Sequence, residues 1–233
     1  MILLAVETCS GQGSLALARD DGWCEPVGLP AEWKSETLHI ALARLLEQHG
    51  LRSAALDGYA VASGPGPFTG LRIGLTAVKA LAEVHQKPIV TISTLEVVAA
   101  AARRDLPDSF AGTLVPLLDA RRGQVFGAMY RVEKNLLRRL TVDSVGSLRA
   151  FLDHVHSSGS SGVRFCAPQI ELFAAEIVRA GWTESSLLAV PSQLAATLAR
   201  MGLERLKNGE GVSAAAAEAN YVRSSDAEIF WKG

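Results

Sequence analysis

Two acidic residues in the sequence each precede a glycine-containing turn, an arrangement that could bind phosphate. Glu7 and Asp119 each end an apolar run, and each is followed by three residues, then a glycine and a glutamine. Glycine lets the backbone of a turn approach an anion closely, and a carboxylate at the end of the strand can orient a metal ion or a water molecule. The repeated pattern predicts two related hairpins, one in each half of the chain.

Three residues are weak candidates for anion binding. Gly11 and Gly13 lie in the first turn, and Thr69 opens a predicted helix, whose first N–H groups attract anions. The second turn carries Arg121 and Arg122, where phosphate-binding turns have small residues. We therefore favour a scaffold role for both hairpins and assign no cofactor site. Independent nucleotide binding, by an autonomous ATPase or kinase, stays an alternative.

The most distinctive motif is a loop rich in glycine and proline, Ser63–Gly74, with the sequence SGPGPFTGLRIG. Its spacing fits neither the P-loop, which needs a Gly-Lys pair, nor the dinucleotide fingerprint. The motif predicts a strand, a rigid turn and a helix capped by Thr69. Gly70 and Gly74 lie one helical turn apart, and each costs the helix roughly 1 kcal/mol relative to alanine. Close packing against another backbone, in this chain or in a partner, is the expected compensation.

Histidine and cysteine are not arranged for catalysis in the sequence. No two histidines are four residues apart, the helical spacing of a metal-binding pair, and His154 and His156 would point in divergent directions on a helix. Cys9 has no base near it in the sequence, although a triad assembled in space stays open. The sequence thus predicts no metal site and no catalytic residue, and a metallopeptidase is the less favoured alternative.

Length and composition exclude several classes of protein. The chain has 233 residues, of which 48% are hydrophobic, and this is enough for one large core or two small ones. A formal net charge of −1 argues against binding nucleic acid alone through a broad basic face. No apolar run reaches the roughly 18 residues of a membrane span, and scattered cysteines without a CxxC pair indicate a reduced, cytoplasmic protein.

Apolar spacing predicts the elements that hold these residues. Each hairpin is followed by strand, helix, strand and helix, and Gly50 is predicted to end the helix that Ser35 caps. The predicted class is α/β with two related lobes. We expect residues 1–105 to form the first lobe, residues 106–206 a smaller second lobe, and the segment 207–233 to return to the first. The predicted strands are 2–6, 14–19, 25–29, 58–62, 88–92, 114–118, 125–132, 139–143, 163–166 and 187–190, and the predicted helices are 35–49, 69–85, 94–104, one after 146, 169–180 and 192–206.

Five segments resemble the TsaB family, which acts in threonylcarbamoyladenosine synthesis on tRNA. The segments are Gly64–Gly74, Ile2–Thr8, Ser35–Leu38, Leu118–Phe126 and Asn220–Arg223. The resemblance spans nearly the whole chain, and the glycine loop is its most distinctive part. Two departures are mild: Glu7 stands where many members have aspartate, and Ala219–Asn220 where the family often has proline.

The resemblance implies an actin-like (ASKHA) fold, shared with the catalytic subunit TsaD, and no catalysis by this chain itself. It implies a heterodimer with TsaD, joined by the small ATPase TsaE, and a homodimer when the chain is alone. tRNA is then bound only through the complex, which transfers a threonylcarbamoyl group to the adenosine beside the anticodon, and no membrane is involved. The chain requires no cofactor, and ATP or ADP belongs to the assembled complex.

The family resemblance also implies a partner contact on the helices that begin near Ser35 and Thr69. Both helices carry more apolar residues than one face accommodates, notably Ile40 and Ile73. The expected interface residues are Leu38, Leu42, Leu45, Gly70, Arg72, Ile73, Gly74 and Ala77. We expect Gly74→Leu to block partner association while leaving the fold of the single chain largely intact.

Overall fold

The computed structural model describes residues 1–134 and 136–222, which divide into two compact units. The first unit contains Met1–Thr94 and Gln193–Asn220, and the second contains Leu95–Ser192 and, at the end of the described chain, Tyr221 and Val222. The first unit ends before the predicted boundary at residue 105 and resumes before the predicted return at residue 207. Of that predicted return, residues 223–233 lie outside the described residues.

Strands and helices alternate along both halves of the chain. The first half contains β1 (Ile2–Glu7), β2 (Ser14–Arg19), β3 (Cys24–Gly28), α1 (Ser35–Gln48), β4 (Gly58–Ala62), α2 (Phe68–His85), β5 (Ile89–Ile92) and α3 (Thr94–Arg104). The second half contains β6 (Gly112–Asp119), β7 (Gln124–Gly127), β8 (Tyr130–Glu133), β9 (Leu136–Arg139), β10 (Ser144–Ser147), α4 (Leu148–Ser157), β11 (Val163–Ala167), α5 (Glu171–Arg179), β12 (Leu187–Ala189) and α6 (Ala195–Lys207). None of the described helices combines the length and apolar character that crossing a bilayer requires.

The sheet of the first unit has the strand order β3-β2-β1-β4-β5. β1, β2 and β3 pair antiparallel, whereas β4 and β5 continue the sheet in parallel with β1. Alternate residues of β1 point to opposite faces. Leu4 and Val6 pack in one cluster with apolar residues of α1 and α2, while Leu3 lies near Gly202 of α6 on the other face.

Helix α6 explains why the first unit resumes at Gln193. A Cβ on Gly202 would lie 2.5 Å from Ala60 Cβ of β4 and 3.3 Å from Leu3 Cδ1 of β1, so this glycine lets the helix come close to both strands. Leu198 and Ala199 of the same helix are fully buried. The prediction assigned the helix to the second lobe because sequence order alone does not show which sheet an amphipathic helix covers.

The second unit repeats the strand order of the first, which confirms the predicted duplicated α/β fold of the actin-like class. β6 pairs in parallel with β11, and β11 with β12. On its other edge β6 pairs antiparallel with β7 and β8, and these pair with β10 and β9 respectively. β7 with β8, and β9 with β10, thus occupy the places that β2 and β3 hold in the first unit.

The strand predicted at 125–132 is interrupted at Met129. The Leu140 N–H donates to the Met129 carbonyl at 2.8 Å, and the Met129 N–H donates to Thr141 Oγ1 at 2.9 Å. This contact separates β7 from β8 and leaves residues 140–143, predicted as strand, between β9 and β10. The run without polar residues from Val125 to Tyr130 continues across the interruption, so the sequence pattern does not reveal it.

The predicted end of α1 is confirmed, whereas the predicted N-caps Ser35 and Thr69 lie inside their helices, whose caps are Lys34 and Pro67. Gly50 has a φ of 63°, its N–H donates to the Glu47 carbonyl, and the Leu51 N–H donates to the Leu46 carbonyl, which forms a Schellman motif. Ser35 is the first helical residue rather than the cap, and α2 begins at Phe68, one residue before Thr69.

Candidate functional site: the first hairpin turn and the glycine loop

The carboxylate of Glu7 is bound by the hairpin turn that follows it. Glu7 lies at the end of β1 and is fully buried. Its Oε1 accepts from the Cys9 N–H at 2.6 Å and from the Ser10 N–H at 2.9 Å, while its Oε2 accepts from the Ser10 hydroxyl at 2.6 Å. Donors that could face a phosphate are therefore already occupied by an anion of the chain itself.

The two glycines of this turn have structural roles. Gly11 has a φ of 101°, a conformation that favours glycine, and a Cβ there would meet nothing within 4 Å. Gly13 is buried, and a Cβ on it would lie 2.8 Å from Leu29 and 3.0 Å from Trp33. The requirement for glycine at these two positions is thus explained by backbone conformation and by the side chains that cover Gly13.

The second hairpin repeats the arrangement in the other unit. The Arg121 N–H donates to Asp119 Oδ1 at 2.7 Å, so the acid at the end of β6 also binds the turn that follows it. Arg121 and Arg122 have φ values of 62° and 55°. The duplication thus extends to the hydrogen bonds: each acid stabilises its own turn.

Burial controls the ionisation of Glu7. Removal from water disfavours the charged carboxylate and raises the pKa of Glu7 to about 6 from its ordinary 4.5, although the hydrogen bonds from Ser10 and Cys9 act in the opposite direction. A carboxyl group with a raised pKa in the folded state binds its proton more tightly there. The stabilisation that comes from this tighter proton binding is fully present below about pH 4.5 and is lost as the pH rises through about 6.

We expect Glu7→Gln to remove this pH dependence. Between pH 4 and pH 7 the wild-type protein should lose about 2 kcal/mol of unfolding free energy relative to the variant, because one pKa unit corresponds to about 1.4 kcal/mol. Urea unfolding of both proteins at several pH values measures this difference. Glu47→Gln, which removes an exposed carboxylate from α1, is the control. Parallel curves for wild type and Glu7→Gln would contradict the assignment.

The glycine loop packs directly on the residues that follow β1. A Cβ on Gly66 would overlap the Cys9 carbonyl, and one on Gly70 would overlap the Thr8 carbonyl. A Cβ on Gly74 would overlap Thr8 Oγ1. Gly70 and Gly74 are four residues apart on α2, so one face of this helix approaches the end of β1 over one turn, and Gly66 continues the contact in the loop before the helix. The close neighbour expected from the sequence is therefore a segment of this chain.

Backbone hydrogen bonds hold the start of the glycine loop. The Ser63 N–H donates to the Ile92 carbonyl at 2.9 Å, and the Ser63 carbonyl accepts from the Asn220 N–H at 2.7 Å. The Gly64 carbonyl accepts from the Thr94 N–H at 2.8 Å. The loop is thus tied to β5, to the start of α3 and to the end of the described chain, as the rigid-turn interpretation of the motif requires.

The predicted interface residues need a correction, because six of the eight are buried within the first unit. They are Leu38, Leu42, Leu45, Gly70, Gly74 and Ala77. Side chains that fill the core between a helix and its own sheet are not accessible to a partner. Of the remaining two, Arg72 is exposed, with its guanidinium 3.7 Å from the centre of the Phe68 ring, and Ile73 is half-buried.

The outward faces of α1 and α2 carry exposed apolar residues beside exposed charged ones. Ile40 is 45% exposed on α1, which also exposes Glu36, Arg44 and Glu47. Val84 is 75% exposed on α2, which also exposes Arg72 and Glu83. Because both helices pack in the same cluster on one face of the sheet, these residues belong to one side of the first unit.

The thiol of Cys9 is buried, and the imidazoles of His39 and His85 form hydrogen bonds within the chain. Cys9 is buried and its Sγ lies 3.4 Å from the Ala62 carbonyl; burial raises the pKa of this thiol, which disfavours the thiolate that a nucleophile requires. His39 bonds the Ser35 carbonyl and His85 bonds the Ser53 hydroxyl. Within the described residues, no three histidine, cysteine or acidic side chains are grouped so as to hold a metal ion.

Sequence reasoning missed Thr8 and Trp33 as parts of this site. Thr8 is separated from Gly70 and Gly74 by more than sixty positions, and Trp33 lies within 3.5 Å of the Cβ that Gly70 lacks. The four-residue spacing of the glycines indicated that something approaches α2 closely. No sequence pattern identified the approaching residue.

Comparisons with known proteins agree on one family. The family model described as TsaD, tRNA N6-adenosine threonylcarbamoyltransferase, matches residues 31–208. A Bacillus subtilis (strain 168) protein named "tRNA threonylcarbamoyladenosine biosynthesis protein TsaB" is 34% identical over 154 residues, 66% of this chain and 65% of the relative. The Escherichia coli (strain K12) protein of the same name is 29% identical over 135 residues, 58% of this chain and 57% of the relative.

A solved structure is similar over almost the whole chain. It is titled "YeaZ from Pseudomonas aeruginosa", aligns with a TM-score of 0.77 at 24% sequence identity, and covers 94% of this chain and 99% of that chain. At this identity the likeness shows the fold. The matches to the two curated relatives span less than two thirds of their own lengths.

Proposed function

The chain belongs to the family described as TsaD, tRNA N6-adenosine threonylcarbamoyltransferase, and we propose that it is a non-catalytic, TsaB-type subunit of this system. In this role it supports formation of threonylcarbamoyladenosine beside the tRNA anticodon without reacting itself. The relatives named TsaB support the assignment. The chain works in the cytoplasm, where it holds tRNA stably only as part of the complex.

One observation carries the non-catalytic role: the carboxylate of Glu7 takes up the N–H groups of the first hairpin turn. A nucleotide phosphate at this turn would have to displace that carboxylate or bind close to it, and both cost free energy in a buried site. This argues against the autonomous ATPase or kinase. The chain requires no nucleotide of its own, and ATP or ADP belongs to the assembled complex.

The partner in this proposal is a TsaD-type catalytic subunit, joined by TsaE, and the chain forms a homodimer when alone. The outward side of α1 and α2 supports this arrangement, since it exposes the large apolar side chains of Ile40 and Val84. Exposed apolar residues with polar residues around them are typical of sites where another protein binds. The interface prediction is therefore moved from the buried stripe of each helix to its exposed one.

Reconstitution tests the proposal. Purified TsaD-type and TsaE partners, with a threonylcarbamoyl donor system and unmodified tRNA, should form the modified adenosine only when this chain is added. The chain alone should form none. Mass spectrometry of digested tRNA measures the product, and calorimetry with ATP and magnesium on the isolated chain tests the alternative. Full modification without the chain, or turnover by the chain alone, would refute the proposed role.

A further inference from the structure

Basic residues are concentrated in one segment of a nearly neutral chain. Between residues 121 and 139 there are six basic residues and one acidic residue, although the whole chain carries a net charge of −1. The basic residues of this segment are Arg121, Arg122, Arg131, Lys134, Arg138 and Arg139. All of them lie in the turn before β7, in β8 and β9, or beside these strands, within the second unit. The local charge is thus opposite in sign to that of the protein.

Several of these residues occupy backbone conformations that other residue types adopt more readily. In the described part of the chain, the non-glycine residues with positive φ are Gln86, Arg121, Arg122 and Lys134, so three of the four are basic residues of this segment. Glycine and asparagine are favoured in such conformations. Turn geometry therefore does not explain why arginine and lysine stand there, which points to a use for their charge.

Two arginines also face each other across β8 and β9. Arg131 is directly opposite Arg138 in the antiparallel register, so both side chains lie on the same face of the sheet. Like charges in opposite positions destabilise a strand pair. None of the ion pairs among the described residues includes Arg131, Lys134 or Arg138. Arg139 differs, since it pairs with Asp143.

The basic side chains form two groups. Arg121 and Arg122 precede β7, whereas Arg131 and Arg138 lie in β8 and β9. β7 and β8 both pair with β6, Val125 opposite Asp119 and Arg131 opposite Thr113, so the two groups lie at two ends that are six residues, or about 20 Å, apart along β6, because a strand rises about 3.3 Å per residue. This is more than half of one turn of a nucleic-acid duplex, which measures about 34 Å. Arg121 is 83% exposed at one end, with a single ion pair to Asp119. Guanidinium groups at both ends can then meet phosphates of the same strand.

From these observations we infer that the surface formed by Arg121, Arg122, Arg131 and Arg138, here called the arginine hairpin, contacts the phosphate backbone of RNA. The RNA is the tRNA of the assembly, and this identification rests on the proposed function. Such contacts position a nucleic acid without reading its sequence. Because the chain as a whole is nearly neutral, the hairpin adds to binding by the complex and gives only weak binding alone.

An acidic protein surface is the competing occupant, since Leu136 and Val142 are exposed near the arginines. RNA is favoured because the excess positive charge extends over more than half a duplex turn and includes an opposed arginine pair. Neutralising contacts with phosphate releases counterions, and affinity then falls steeply as salt rises. Salt dependence of RNA binding is therefore the measurement that separates the two occupants.

The test uses the isolated chain and a labelled RNA stem-loop with the sequence of a tRNA anticodon arm. Fluorescence anisotropy is recorded from about 20 to about 150 mM potassium chloride, over which the Debye length falls from roughly 20 to 8 Å. The double variants Arg121→Gln/Arg122→Gln and Arg131→Gln/Arg138→Gln should each bind more weakly. Each should reduce the slope of log affinity against log salt by about 2, one for each phosphate contact removed.

Arg44→Gln/Arg52→Gln provides the matched control, because both residues are exposed in the first unit and the change in net charge is the same. This control should bind like wild type. Wild-type affinity and slope in both hairpin variants, equal losses in the control, or no RNA binding by the wild type at any salt would overturn the inference. So would loss of partner binding by the hairpin variants with an unchanged RNA slope. None of these measurements uses the modification reaction, so the proposed function succeeds or fails separately.

Discussion

Gly74→Leu is expected to remove a large part of the folding stability of the protein. The missing Cβ of Gly74 faces Thr8 Oγ1, with Thr8 Cβ at 3.3 Å and Cγ2 at 3.4 Å from its position. A leucine side chain would have to occupy this space, so α2 would have to move away from the end of β1. Gly66 and Gly70 make similarly close contacts there, so the movement would affect the whole glycine loop.

The expected loss for Gly74→Leu is about 3 to 5 kcal/mol, because overpacking that shifts backbone exceeds the usual cost of an added methylene. Proteins of this size are stable by only about 5 to 15 kcal/mol in total. Urea unfolding followed by circular dichroism measures the change. This result reverses the expectation from sequence alone, in which the variant keeps its fold and loses only its partner.

Thr76→Leu is the control for Gly74→Leu. Thr76 lies two positions further along α2 and is exposed, so it receives the same new side chain without a close neighbour in the first unit. Its unfolding midpoint should stay near that of the wild type. If Gly74→Leu and Thr76→Leu unfold at the same denaturant concentration as the wild type, the contact between α2 and Thr8 has no energetic importance.

Ile40→Glu should weaken association with the TsaD-type partner by about 100-fold while the chain itself stays folded. Ile40 is 45% exposed on α1, so a glutamate there remains hydrated in the free protein. In the proposed interface the carboxylate would lose this hydration without gaining a partner, which costs about 3 kcal/mol. Ile73 is less suitable for the test, because it is half-buried and also packs against the core of the first unit.

The association constant is measured by calorimetry or by sedimentation of the mixed subunits. Val142→Glu introduces the same charge at a residue that is 78% exposed in the second unit, and it should bind the partner like wild type. The homodimer of the isolated chain should dissociate in Ile40→Glu as well, if the same side is used. Wild-type affinity in Ile40→Glu, with Val142→Glu also unchanged, would show that the partner binds elsewhere.

The duplicated hairpins show how a phosphate-binding arrangement can become structural. In both units an acid ends the central strand and accepts hydrogen bonds from the following turn, Glu7 in the first and Asp119 in the second. The first turn is then filled by an internal carboxylate and covered by Trp33 beside Gly13. The second turn carries Arg121 and Arg122, where a phosphate-binding turn has small residues. Similar strand order thus coexists with different surface chemistry.

The sequence by itself determined most of the elements and their order, with β7 to β10 as the exception. Apolar periodicity and turn residues located the first hairpin, β4 and the glycine terminator of α1 almost residue by residue, because these signals are local. The matching acid-glycine-glutamine spacing predicted the duplication before any strand order was known. Separately, the four-residue spacing of Gly70 and Gly74 indicated that a close neighbour approaches α2 at these glycines.

Only the tertiary structure decided what each face of these elements meets. The interface prediction selected Leu38, Leu42 and Leu45, which the fold buries, because a helical stripe reads the same whether its own sheet or a partner covers it. Likewise, Thr8 is the neighbour of Gly74 through a contact across more than sixty residues, which leaves no periodic signal. The opposition of Arg131 and Arg138 depends on strand register, and register is set by pairing across the sheet rather than by either strand alone.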